Sequence, residues 1–263
     1  MSNPTPQASA TSWALTAAQR DQLARDGFLK LPRRLPDAML APLRHRLHEL
    51  LSGKGDAKIN RQVEPALAKD GADATNGPLR KLHYVARWDP VFRQFLTSEP
   101  VLAVLGSVLG DGFVAYSDIA FLKPAKVGSR QPYHQDRVLG YEIDDAAPMV
   151  GLWVALDPAT VANGCLRFIP GSHRLRLRPE ETALIEKRAV AEGIPEEVIV
   201  PAEPGEVILI DSLVLHCSQP NTTDHGRWAY SAFCVSADAH YFGSEEQRRR
   251  FVRLRGKPMP GRI

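Results

Sequence analysis

Two histidines and an aspartate are the first residues whose types and spacing suggest chemistry. His134, Gln135 and Asp136 follow Pro132-Tyr133. In an extended chain residues i and i+2 point to one face, so His134 and Asp136 can present an imidazole and a carboxylate to one point. Eighty residues beyond Asp136, the apolar run 213–215 ends in His216, a second imidazole. Two imidazoles and one carboxylate arriving from two strands form the facial triad that holds non-haem Fe(II) and leaves positions open for a co-substrate and O2. Each part alone is ordinary, since a His-X-Asp pair commonly closes a turn and a lone His commonly packs in a core. The third ingredient is Arg227, eleven residues after His216 near the start of the next β-run. A hairpin through 220–226 would return its guanidinium to the metal, where its fixed fork can clamp a carboxylate. A ferrous site beside such a clamp suits a 2-oxo acid, which chelates iron at its keto-acid end and is gripped at its distal carboxylate.

The elements that must position these groups fall into two textures. The first third reads as helical: Thr16 and Gln19 form a capping box, with Gly27 placed to end the helix. A second helix opens at Pro36-Asp37, with Leu40, Leu43, Leu47, Leu50 and Leu51 at helical spacing, and two short helices fit 90–96 and 100–109. Residues 53–78, rich in Gly, Lys, Asp and Ala, read as a long surface loop, with lid and plain loop both open. From Phe113 onward short β-rich runs follow one another, at 113–122, 149–156, 164–169, 198–200, 206–210 and 227–235, interrupted by a helix at 179–191. They do not alternate with helices as a parallel sheet requires, so they indicate a sandwich or barrel. The expected organisation is a flexible tail at 1–14 and one domain at 15–263. That domain divides into helical support (15–112), a β core (113–238) and an Arg-rich C-terminal helix (244–256).

With these motifs in view the chain resembles the phytanoyl-CoA dioxygenase-like branch of the Fe(II)/2-oxoglutarate oxygenases, from Leu15 to about Val235. The resemblance rests on the entry Gln22-Leu23-Ala24-Arg25-Asp26-Gly27-Phe28, on His134-Gln135-Asp136, and on Asn163-Gly164-Cys165-Leu166-Arg167-Phe168-Ile169-Pro170-Gly171-Ser172-His173. It closes with Pro204-Gly205-Glu206, His216-Cys217-Ser218-Gln219-Pro220-Asn221 and Arg227. It implies a mainly β fold with flanking helices, a double-stranded β-helix (jelly-roll, cupin-like) core with N-terminal helices packed on one sheet. It also implies iron on His134, Asp136 and His216, 2-oxoglutarate on Arg227 and Ser218, and O2 as oxidant. Trp153 and Phe121 would lie near the co-substrate or substrate pocket, and Lys81 matches a family lysine by spacing. The implied reaction is hydroxylation of a small-molecule metabolite with release of succinate and CO2. Desaturation, epimerisation and ring formation use the same triad, whereas halogenation is disfavoured because Asp136 is present. A non-catalytic jelly roll binding a metal or anion, and a cupin-type enzyme without 2-oxoglutarate, remain the other readings.

Within these motifs, Asn163–His173 reads as a turn and loop fixing the barrel mouth, Cys217 as core, and His173 as no fourth ligand. Glu142, Asp144 and Asp145 read as a solvated loop, with an acidic lip for a cationic substrate as the other reading. The 263 residues carry 44% hydrophobic and 24% charged side chains, enough for a real core. A net charge of +3 argues against a nucleic-acid partner, and no apolar run is long enough for a membrane span. The opening residues lack a signal-peptide pattern, and Cys165, Cys217 and Cys234 cannot all pair. The expectation is a cytoplasmic enzyme, monomer or homodimer, acting on a small molecule.

Overall fold

A computed structural model of the chain describes residues 12–68, 78–139, 142–144, 147–194 and 196–256. The expected tail (up to residue 11), part of the 53–78 loop (69–77) and Asp145 lie outside the described residues. In chain order the elements are α1 (Ala17–Asp26), β1 (Phe28–Arg34), α2 (Asp37–Leu51), β2 (Asn60–Val63), α3 (Pro65–Ala68) and β3 (Leu79–His83). Then come α4 (Val85–Trp88), α5 (Pro90–Leu96), α6 (Glu99–Leu109), β4 (Phe113–Phe121), β5 (Gln131–His134) and β6 (Met149–Ala155). The rest are β7 (Leu166–Phe168), α7 (Pro179–Ala191), β8 (Val198–Val200), β9 (Glu206–Asp211), β10 (His216–Ser218), β11 (Ala229–Ser236), α8 (Glu245–Arg248) and β12 (Val252–Arg255).

The strands form two antiparallel sheets. The larger runs β1-β9-β6-β11-β4-β3-β2, with β12 also on β4, and the smaller runs β5-β10-β7-β8. Side chains alternate across each strand, and the larger sheet is buried on both faces. On its outer face Val150, Leu152, Val154, Val207, Leu209 and Tyr230 pack under Leu40, Leu43, Leu47, Phe92, Val104 and Leu105 of the helices. On its inner face Trp153, Ile208 and Ile210 meet Phe168 and Val214 across the sandwich. This is the jelly-roll core with helices on one sheet that the motifs implied. The leucine spacing of α2 places Leu40, Leu43, Leu47 and Leu50 on one buried stripe, and α1 has the expected Thr16–Gln19 capping box and Gly27 at φ 81°. Helix α7 covers the smaller sheet, where Ile185 and Ala189 pack on Tyr133, Leu215 and Cys217.

The structure differs from the sequence reading at both ends. Three strands, β1 to β3, lie within the region expected to be helical support, and β1 lies on the edge of the large sheet, paired with β9. The expected C-terminal helix over 244–256 is one short turn, α8, followed by strand β12 on β4. Val252 and Leu254 are buried while Arg253 and Arg255 are half-buried, a period of two that the density of arginines concealed. Residues 60–68, expected as loop, form β2 and α3.

Candidate active site

His134 ends β5 and His216 begins β10, and the two are direct cross-strand partners in the smaller sheet. Their rings lie 4.2 Å apart, centroid to centroid. Asp136 opens the short 3-10 turn Asp136–Leu139. Its Oδ1 lies 3.5 Å from His134 Nε2 and its Oδ2 3.7 Å from His216 Nε2. One donor atom from each residue falls within 4.8 Å of the others, the one such group of three or more among the described residues. The ring orientation is set from behind. His134 Nδ1 lies 2.8 Å from Pro132 O and His216 Nδ1 lies 3.0 Å from Val214 O. A carbonyl only accepts, so each Nδ1 carries a hydrogen and each Nε2 is the ring nitrogen that faces Asp136. Burial drives the His216 pKa down to about 4, which keeps that imidazole neutral. Burial would raise the Asp136 pKa, but His216, His134 and Lys81 together hold it below its usual value, so the carboxylate is ionised. Two imidazole nitrogens and one carboxylate, with no fourth donor among the described residues, fit ferrous iron with open positions.

The turn carrying Asp136 is locked by a residue between the ligands. Gln135 is buried; its Nε2 donates to Leu175 O at 2.6 Å and to Leu213 O, and its Oε1 accepts from Leu177 N at 3.1 Å. Ser172 Oγ donates to Ile169 O at 2.6 Å and accepts from Leu215 N at 2.9 Å, which fixes the approach to His216. Neither role was visible in the sequence, because both work through backbone groups brought in from distant loops.

Arg227 does reach the site, but by a different route. Strands β10 and β11 belong to opposite sheets, so no hairpin joins them; the chain crosses the sandwich between Ser218 and Ala229. Asn221, wholly buried, shapes that crossing: its Nδ2 donates to Lys123 O at 3.2 Å and His225 O at 2.8 Å. The Arg227 guanidinium is 3% exposed; Nη2 donates to Gly164 O at 2.9 Å, and buried Nε has no partner. It lies 5.8 Å from the Trp153 ring and forms no ion pair among the described residues. Burial lowers its pKa to about 10. Gly164 sits at φ 80°, and a Cβ there would run into the Gln219 carbonyl, so only glycine lets this turn pass so close to Gln219 and offer its carbonyl to Arg227.

A cavity of about 250 Å³ joins the two halves of the site, lined by His134, Asp136, His216, Arg227, Trp153, Phe121 and Lys81 among others. Lys81 Nζ stacks 5.2 Å over Phe121, and burial lowers its pKa to about 8. Ser218 is buried on β10 and accepts from Lys123 Nζ at 2.8 Å. Of the residues expected to hold iron, co-substrate or substrate, all except Ser218 line this cavity. His173 lies elsewhere, with Nε2 3.0 Å from Ala24 O, and Cys217 faces Tyr133 and Leu215 on the other side of its strand. Glu142 accepts from Tyr241 and Asp144 from His240 N, both apart from the cavity lining.

The sequence profile of the phytanoyl-CoA dioxygenase (PhyH) family matches residues 23–229. The chain belongs to that family. A curated mouse relative, phytanoyl-CoA dioxygenase domain-containing protein 1, is 34% identical over 167 residues, 59% of this chain and 56% of the relative. The chain thus spans little more than half of that protein. Phytanoyl-CoA dioxygenase 1 of rice is 26% identical over 94% of this chain and 97% of its own length. Among solved structures, the α-ketoglutarate-dependent carbocyclase SnoK from nogalamycin biosynthesis superposes with TM-score 0.73 at 21% identity, covering 93% of this chain and 98% of that one. EctD from S. alaskensis, solved with 2-oxoglutarate and 5-hydroxyectoine, gives TM-score 0.73 at 24% identity, covering 98% and 89%. These structural likenesses establish the shared fold.

Proposed function

We propose that the chain is an Fe(II)/2-oxoglutarate-dependent oxygenase that hydroxylates a small molecule. The observation that carries this reading is the pairing, in one cavity, of an open three-donor triad with a buried guanidinium lacking a carboxylate partner. A buried unpaired cation is costly unless a ligand supplies the counter-charge. A 2-oxo dicarboxylate meets both ends at once, keto acid at the triad and distal carboxylate at Arg227. Family membership supports the reading, and so does the fold shared with SnoK and EctD.

His134, Asp136 and His216 would hold the iron, through Nε2 of each imidazole and a carboxylate oxygen. Bound iron supplies O2 activation, coupled to oxidative decarboxylation of the 2-oxo acid to succinate and CO2 and to oxidation of a substrate C–H bond. The protein's share is positioning. Arg227 fixes the distal carboxylate, Trp153 and Phe121 wall the co-substrate, and the buried aromatic and aliphatic lining excludes water. His83, Tyr84, Ile119 and Phe233 line the rest of the cavity and would face the substrate. A neighbouring groove of about 400 Å³ shares Tyr84 and adds Lys58, Asn60, Trp88, Glu246, Arg249 and Arg250; its three cations outnumber the one carboxylate, which favours an anionic substrate over a cationic one. Carbocyclisation and epimerisation, the reactions named for SnoK and SnoN, would use the same ligand set with a different substrate pose. The test is anaerobic loading with Fe(II) and 2-oxoglutarate, then admission of O2 with a panel of acidic metabolites. Succinate release with a product gaining one oxygen is expected; no succinate under any condition would overturn the proposal.

A further inference from the structure

Behind Arg227 lies a second, much smaller cavity of about 30 Å³, lined by Glu64, Arg80, Lys123, Ser129 and Arg227 among others. Its chemistry is unusual for a protein interior. Four buried side-chain atoms without hydrogen-bond partners belong to its lining: both oxygens of Glu64, Ser129 Oγ and Arg227 Nε. Glu64 is wholly buried, held at the end of β2 by its backbone N–H donating to Pro78 O at 3.0 Å. The space is about that of one or two water molecules, and a polar cavity with several unmet partners is where buried water resides. Four cations, Arg80, Lys81, Lys123 and Arg227, and one carboxylate therefore line one water-sized gap.

Arg227, Lys81, Phe121 and Gln131 line both this cavity and the larger pocket, and Lys123 lines the smaller one beside Arg227. It is 7% exposed, and its Nζ donates to Ser218 Oγ at 2.8 Å and to Gln219 O. Both buried cations converge on one residue: Arg227 Nη2 lies 2.9 Å from Gly164 O, and Lys123 Nζ lies 2.8 Å from where a Cβ on Gly164 would sit. An ammonium has only donors, so Ser218 Oγ must accept from it, which leaves the hydroxyl hydrogen free to donate elsewhere.

We propose that Lys123 is a positioning residue for the distal carboxylate of the co-substrate, turning the Ser218 hydroxyl toward it and placing a second buried cation beside Arg227, with Glu64 as its counter-ion across the small cavity. The inference rests on the 2-oxoglutarate reading above. Glu64 offsets the burial that pulls the Lys123 pKa down to about 7, alongside repulsion from Arg227 and Arg80. Without that carboxylate the ammonium would be harder to keep charged beside the Arg227 and Arg80 guanidinium groups.

The test measures binding to the metal-loaded protein without O2, by calorimetry, using two ligands: 2-oxoglutarate, and 2-oxobutyrate, which lacks a distal carboxylate. Lys123→Met is expected to weaken 2-oxoglutarate at least tenfold and leave 2-oxobutyrate within twofold. Lys123→Arg should restore part of the loss, and Glu64→Gln should weaken 2-oxoglutarate severalfold with the same selectivity. Equal losses for both ligands would show a merely structural role and overturn the proposal, as would unchanged 2-oxoglutarate affinity in Lys123→Met. Arg227→Met serves as the reference. If it too binds 2-oxoglutarate normally, the parent reading fails; if it alone is impaired, only the role of Lys123 and Glu64 fails.

Discussion

Replacing Arg227 by methionine separates a ligand clamp from a structural arginine, because the two roles predict opposite changes in stability. The side chain is 3% exposed, makes one hydrogen bond, to Gly164 O, and has no ion pair among the described residues. Burial takes its pKa from 12.5 to about 10. At roughly 1.4 kcal/mol per pKa unit, holding that charge in the ligand-free fold costs about 3 kcal/mol. Against this, Arg227→Met strands one carbonyl, a loss of roughly 1 kcal/mol. The ligand-free variant should therefore melt no lower than the parent. Co-substrate affinity should move the other way. Two charge-assisted hydrogen bonds to a desolvated carboxylate amount to about 3–5 kcal/mol, roughly a hundred- to several-thousand-fold in Kd. Calorimetric titration with 2-oxoglutarate and a thermal melt of the same samples give both numbers. A lower melting temperature with unchanged affinity would refute the reasoning, since Arg227 would then be a core strut.

Three other perturbations have defined outcomes. Asp136→Ala should abolish product formation and lower the iron retained after gel filtration, leaving the fold intact; full iron occupancy would contradict the ligand assignment. Gln135→Leu strands three part-buried backbone groups, Leu175 O, Leu213 O and Leu177 N, and should cost about 1–3 kcal/mol of stability and roughly ten- to a hundredfold in metal affinity, read by denaturation and metal titration. Asp118, buried between Ala86 N and Tyr230 Oη, has its pKa raised by burial from 3.8 to about 6. The folded state then holds the proton more tightly than the unfolded one, so this stabilisation is complete below about pH 3.8 and is lost as pH rises through 6. Relative to Asp118→Asn, the parent should lose about 2 kcal/mol between pH 4 and pH 7; parallel stability curves would rule this out.

The site was more legible in the sequence than its support. His134, Asp136 and His216 could be read because metal ligation restricts residue type, and a two-residue spacing already fixes shared direction. Arg227 was picked out by its chemistry although its route was misread: β10 and β11 lie in opposite sheets, and local spacing cannot distinguish that crossing from a hairpin. Lys123, Gln135, Ser172 and Glu64 stayed hidden because their partners are backbone groups or a cavity far away in sequence. Periodicity identified the helices well where leucines line one stripe, as in α2. It failed for β1 and β12, short strands of mixed Lys, Arg and Leu whose pairing with β9 and β4 outweighs local preference.

The most direct measurement is a crystal structure of the protein grown without O2 in the presence of Fe(II) and 2-oxoglutarate, with anomalous data at the iron edge. The account predicts a single iron peak bounded by His134 Nε2, Asp136 and His216 Nε2, with the distal carboxylate of 2-oxoglutarate on Arg227 and Ser218. An iron peak away from these three residues, or 2-oxoglutarate bound with Arg227 still unpaired, would contradict it.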